Sequence, residues 1–147
     1  MLATVNEHLK RPLVELAVTA TLVADECQRM NCLPTIAGNR CVVLEHTIYD
    51  MLRDMTDDYD GGYWHYYSLS NGGFYMAPMN EKSFHLRCEN MFEHEVSGDT
   101  AGIIACAMAY SHLSFLPNGE CFANSYYLLS DYIFQHCEAG LIRAALD

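Results

Sequence analysis

The chain has 147 residues, a length that suits one domain able to bury about 70% of its unfolded surface. Hydrophobic residues make up 51% and charged residues 18%, which excludes a disordered chain and predicts a core that needs no metal or disulfide to hold it. The formal charge of −11, from 8 basic and 19 acidic residues, argues against direct nucleic-acid binding, which begins with a basic surface.

No run approaches the ~20 apolar residues of a membrane span. The opening Met1-Leu2-Ala3-Thr4-Val5-Asn6-Glu7-His8 lacks the basic start and apolar block of a secretory signal. A cytoplasmic location is therefore expected. The cysteines at 27, 32, 41, 88, 106, 121 and 137 are odd in number and form no Cys-x-x-Cys. They are expected to be reduced and to pack as small hydrophobes.

Residues 1–16, interrupted by Lys10-Arg11-Pro12, are expected to form a loosely tied extension of a single 1–147 domain. Residues 18–23 suit a short strand or the entry to a helical turn. Leu33-Pro34 and Gly38-Asn39 then punctuate the chain. The spacing predicts a helix over 40–59, capped by Asn39, with Leu44, Ile48, Leu52, Met55 and Tyr59 on one face. Gly61-Gly62 ends it.

The period then changes. Strands are predicted over 63–69 and 73–78, joined through Asn71-Gly72 as a type I′ turn. That turn sets Leu69 opposite Phe74 and Tyr67 opposite Met76. His65, Tyr67, Leu69, Phe74 and Met76 then share one face, and Trp64, Tyr66, Ser68, Tyr75 and Ala77 the other. Large side chains on both faces predict a central hairpin covered on both sides. Residues 83–88 alternate, with Phe84, Leu86 and Cys88 inward, and 91–96 form a fourth strand. Short links favour one antiparallel meander. Helices follow over 98–115, capped by Ser97, and over 121–143, with Pro117-Asn118-Gly119 between them. The order points to an α+β fold: a small antiparallel β-meander sheet packed with about three main α-helices.

Histidines at 8, 46, 65, 85, 94, 112 and 136 form no His-x-x-x-His and no HExxH, so no metal site is expected, although His65 and His85 could meet across strands. There is no Gly-x-Ser-x-Gly elbow, and neither glycine pair leads into a phosphate loop. No catalytic residue and no cofactor is assigned, with a spatially assembled triad left as the one route to an enzyme. Asp57-Asp58-Tyr59-Asp60 is the densest acidic run. At a helix C-terminus acids are mildly unfavourable. Asp57, Asp58 and Asp60, with Trp64 as an aromatic anchor, are therefore the candidate contact with a basic partner.

The segment Gly61-Gly62-Tyr63-Trp64-His65-Tyr66-Tyr67-Ser68-Leu69-Ser70-Asn71-Gly72-Gly73-Phe74-Tyr75-Met76-Ala77-Pro78 resembles the signature segment of the KlcA/ArdB antirestriction family. Thr19-Ala20-Thr21-Leu22-Val23, Leu33-Pro34, Asp99-Thr100-Ala101-Gly102-Ile103 and His136-Cys137-Glu138-Ala139-Gly140-Leu141-Ile142 resemble further parts of it in order. The resemblance spans residues 18–147. It implies a protein of plasmids and other mobile elements that relieves restriction of incoming DNA by type I restriction–modification systems. The implied partner is the restriction–modification complex or a host factor controlling it, and the family is not known for catalysis. ArdA-type DNA mimics are far more densely acidic than this chain. Within the signature, Gly61, Gly62, Trp64, Asn71, Gly72, Gly73, Phe74, Tyr75 and Pro78 are expected to be mainly structural.

Overall fold

The computed structural model describes residues 17–79 and 83–147, so the expectation for residues 1–16 lies outside the described residues. Strand β1 (Ala20–Leu22) leads into helix α1 (Glu26–Ala37), a 3-10 turn (Gly38–Arg40) and helix α2 (Cys41–Met55). Strands β2 (Trp64–Leu69), β3 (Phe74–Pro78), β4 (Ser83–Arg87) and β5 (Glu93–Ser97) follow, then helices α3 (Gly98–Ser114), α4 (Glu120–Ile133) and α5 (Ala139–Leu146). The α+β class and the antiparallel pairing agree with the sequence. No helix among the described residues is long and apolar enough to cross a membrane.

The strands form two sheets rather than one meander, ordered β1-β2-β3 and β4-β5. The reason lies on the outer edge of β3. Leu69 N donates to Gly73 O, and Met79 N to Tyr63 O, so the odd-numbered residues of β3 bond to β2 and the even-numbered ones face away. Helix α3 takes that edge. The Tyr110 hydroxyl donates to Phe74 O at 2.8 Å. Met76 N donates to Cys106 Sγ, whose thiol in turn donates to Met76 O, both at 3.4 Å. Pro78 has no N–H to satisfy. With its edge occupied, β3 has nothing to offer β4. The approach is close because Gly102 has no side chain: a Cβ there would lie 2.4 Å from Ala77 Cα and 2.5 Å from Met76 O.

Helix α3 is the centre of the molecule. Ser97 caps it as expected, accepting from Thr100 N at 3.1 Å. Its burial is not confined to one stripe: Ile104 and Leu113 are buried, and so are Ala101, Ile103, Ala105, Cys106 and Tyr110. Such a helix shows no single apolar face. Leu44, Ile48, Leu52 and Met55 of α2 pack against it.

The helices differ from the sequence reading at several points. Helix α1 was not foreseen, because Pro34 reads as a break. Pro34 nevertheless lies inside the helix, where only Leu33 and Ala37 are buried. Its start was legible: Asp25 caps by accepting from Gln28 N at 3.0 Å, in an Asp-x-x-Gln pattern akin to a capping box. Asn39 sits in the 3-10 turn and does not cap α2, whose N-cap position is Arg40 with no side-chain capping bond. The predicted last helix divides at residues 134–138, leaving α4 and α5. Leu129 and Ile133 are buried, but Cys137 is exposed.

Candidate functional site

Helix α2 ends at Met55, so Asp57, Asp58 and Asp60 lie in the loop to β2 and not on a helix end. Their supposed conflict with the helix dipole therefore does not arise. Thr56 is the C-cap, and its hydroxyl accepts from Asp58 N at 3.1 Å. Asp58 Oδ2 accepts from the backbone N of His85 at 2.9 Å, and Asp57 pairs with Arg87 at 3.1 Å. Two of the aspartates thus tie the loop to β4, while Asp60 is exposed. Gly61 and Gly62, at φ +97 and +106, carry the chain into β2.

Trp64 is not an exposed anchor. Its side chain is 3% exposed, and its Nε1 donates to the Tyr59 hydroxyl at 3.0 Å. It holds the acidic loop from beneath. Arg29 of α1 donates to Trp64 O and lies over the rings of Tyr63 and Tyr66, 4.6 and 4.2 Å from their centroids.

The signature hairpin closes one residue differently from the type I′ expectation. Gly72 N donates to Leu69 O, Leu69 pairs with Gly73, and Ser68 faces Phe74. This is a three-residue loop with a left-handed final residue, Gly72 at φ +92. The slip by one on β3 exchanges its faces. Tyr75 now stacks on Tyr67 at 4.8 Å, and Phe74 meets Tyr66 edge-on at 5.4 Å. All of β3 is buried, whereas β2 buries only Trp64 and Leu69 fully. Asn71 Oδ1 accepts from Gly73 N, and its Nδ2 donates to Leu128 O of α4.

A second constellation was missed by the sequence reading. Asp99, one residue into α3, accepts from the Tyr75 hydroxyl at 2.6 Å and pairs with His136 Nε2 at 2.8 Å. His136 Nδ1 accepts from Glu138 N at 3.0 Å, so the network assigns the proton to Nε2, which donates to Asp99. Glu138 Oε1 accepts from the hydroxyls of Ser97 and Thr100 at 3.1 and 2.6 Å. Tyr132 stacks on Tyr75 at 5.7 Å. Burial opposes the charge of Asp99, but the bonds from His136 and Tyr75 outweigh it and hold its pKa below the usual carboxylate value. Burial and the bond to Asp99 together push the Tyr75 phenol upward. This network explains the break between α4 and α5: the chain turns there to set His136 on Asp99.

Chemically, Cys137, His136 and Asp99 stand in the order of thiol, imidazole and carboxylate that thiol activation uses. The Cys137 sulfur is 3.9 Å from His136 Nδ1. The Glu138 amide, at 3.0 Å, already occupies that nitrogen, so the imidazole serves the backbone turn. His65 and His85 do not meet, since they belong to different sheets. His85 instead lies 2.6 Å from Glu93 and 3.4 Å from Glu95, and its pKa is raised chiefly by the bond to Glu93. Among the described residues no group of three or more His, Cys, Asp or Glu side chains converges as metal ligands would.

Residues 57–147 match the family described as antirestriction protein. Antirestriction protein KlcA of Escherichia coli is 39% identical over 136 residues, covering 88% of this chain and 95% of the relative. The chain belongs to the antirestriction protein family. The putative antirestriction protein YubI of Escherichia coli K12 is 33% identical, over 91% of this chain and all of its own length. A solved structure from work on KlcA and ArdB superposes with a TM-score of 0.81 at 38% identity, covering 88% of this chain and 95% of that one. Those proteins are described as showing a novel fold and antirestriction activity against type I DNA restriction systems in vivo but not in vitro. The acidic loop and the Asp99 network both lie within the family match. The network draws on the signature hairpin, the start of α3 and the residues before α5, which are separate segments carrying the resemblance.

Proposed function

We propose that this chain relieves restriction of incoming mobile-element DNA by type I restriction–modification systems, acting in the cytoplasm by binding a protein rather than by catalysis. The observation that carries the proposal is family membership together with a structural likeness, over 88% of this chain, to proteins with that activity in vivo. Activity in cells without activity in vitro suits a protein whose partner is a component of the machinery or a host factor controlling it. DNA mimicry suits it poorly. The acids are scattered, and Asp57, Glu93 and Glu95 already have Arg87 or His85 beside them. Asp57, Asp58 and Asp60 are the proposed electrostatic contact, drawing a DNA-gripping enzyme's basic surface over long range.

Unmodified phage plated on cells carrying a type I system, with and without this gene, tests the function. Replacing all three aspartates with asparagine tests the contact. After Asp58→Asn the carboxamide oxygen still accepts from His85 N, and the Asp57–Arg87 pair is exposed, so the fold should survive. Protection should fall, and full protection at matched expression would rule the contact out. The enzymatic alternative has one observation behind it, the alignment of Cys137, His136 and Asp99. Cys137→Ala should protect as well as the parent; loss of protection by a normally folded Cys137→Ala would favour catalysis.

A further inference from the structure

Among the described residues, two tight hairpins close with the same loop. In the first, Leu69 N donates to Gly73 O and Gly72 N to Leu69 O; in the second, Cys88 N donates to Phe92 O and Met91 N to Cys88 O. Each has an asparagine in the middle. Asn90 Oδ1 accepts from Phe92 N, and Nδ2 donates to Ala144 O and Ala145 O of α5, as Asn71 bonds to Gly73 and α4. The third position is left-handed in both, at φ +92 for Gly72 and +75 for Met91. Glycine fits that conformation; methionine is strained in it. The Met91 side chain is also 90% exposed, so packing does not offset the strain. Nothing in the fold requires methionine at this position.

Glu89 and Asn90 of the same loop line an open groove of about 650 Å³ between α2, α3 and α5. Met51, Met55, Met108 and Phe115 contribute its apolar surface, and Phe115 is 87% exposed. Methionines suit a surface that must adapt to an incoming chain. The charge is mainly negative: Asp54, Glu89 and Asp147 line the groove together with Arg87 and His112, and Arg87 is already paired with Asp57. Arg87 therefore links the groove to the acidic loop.

We propose that this groove, with Met91 on its bordering loop, receives a basic amphipathic segment of the protein partner, apolar side chains entering between the methionines and Lys or Arg meeting Asp54, Glu89 and Asp147. The inference rests on the reading that the chain acts by binding a protein. The test uses the full chain in cells carrying a type I system, comparing the parent with Met91→Gly and Glu89→Lys, and adds a photo-cross-linking residue at position 91. Met91→Gly should melt no lower than the parent yet lose protection at least tenfold. Glu89→Lys should lose protection with unchanged melting. The cross-link should map to a segment, in a restriction subunit or host factor, with Lys or Arg interleaved among apolar residues at helical spacing. Full protection by both variants alongside a protective parent overturns the groove. So does a lowered melting temperature for Met91→Gly, or a cross-link to a second copy of this chain. If the parent itself gives no protection, the proposed function fails and the cross-link decides the groove alone: a mapped basic amphipathic segment supports it, and no cross-link overturns it.

Discussion

The Tyr110 hydroxyl donates to the Phe74 carbonyl at 2.8 Å, so a helix side chain stands where a neighbouring strand would otherwise bond to β3. Tyr110→Phe keeps the ring and strands a buried carbonyl. Leaving such a group unpaired costs about 1–3 kcal/mol. Urea unfolding should show a loss in that range with little change in the slope.

Gly102 provides a test in which two effects oppose each other. Alanine in a helix interior is favoured over glycine by about 0.5–1 kcal/mol. The added Cβ, however, would meet backbone atoms of β3 at 2.4–2.5 Å, and overpacking of this kind costs about 1–3 kcal/mol. The clash is with backbone that cannot rotate away, so it should win. Gly102→Ala should unfold at lower denaturant than the parent; an increase in stability would show that α3 can lift off β3 freely.

Asp99 makes stability depend on pH with a definite sign. Its folded pKa lies below the ordinary value, so below about pH 4 the unfolded chain takes up a proton that the folded chain resists. The contribution of Asp99 is fully present above that pH and is lost as pH falls through the folded pKa. Asp99→Asn should flatten this part of the acid-unfolding curve. At neutral pH it should cost about 1–3 kcal/mol, because one oxygen must serve the Tyr75 and His136 donors while the new amide group faces one of them. Equal pH slopes for parent and variant would remove Asp99 from the account.

Gly72→Val places a β-branched residue at φ +92, where nothing lies within 4 Å of the new Cβ. Backbone strain is then the whole effect, about 1–3 kcal/mol. A variant that melts like the parent but fails to protect against restriction would make the hairpin a recognition surface instead of a structural one.

The sequence was most legible where one residue answers to one local rule. Ser97 caps α3, Leu44, Ile48, Leu52 and Met55 mark α2, and Phe84 and Leu86 point inward from β4. It was least legible where partners are distant in the chain. Periodicity continues through residues 134–138, and only the meeting of His136 with Asp99 shows why the helix breaks there. The split of the strands into two sheets depends on Tyr110 and Cys106 reaching β3, which no strand pattern encodes. The signature hairpin was found but its loop was one residue longer than the Asn-Gly rule suggested, because Asn71 bonds to its neighbour Gly73 instead of adopting positive φ. The acidic loop was placed on a helix because Tyr59 continues the spacing, yet Thr56 is already extended.

Cys106 has no accessible surface, and burial pushes its thiol pKa up to about 12 despite the bonds to Met76. Exposed Cys27 and Cys137, and the partly exposed Cys32, Cys41, Cys88 and Cys121, can be blocked first in the native protein. What remains at Cys106 is a chemical clock. Its alkylation requires α3 and β3 to part, so the rate, divided by that of an unprotected thiol, gives the fraction of molecules open at that seam under native conditions. A covalent label and a mass measurement would thus time the breathing of the innermost interface without denaturant.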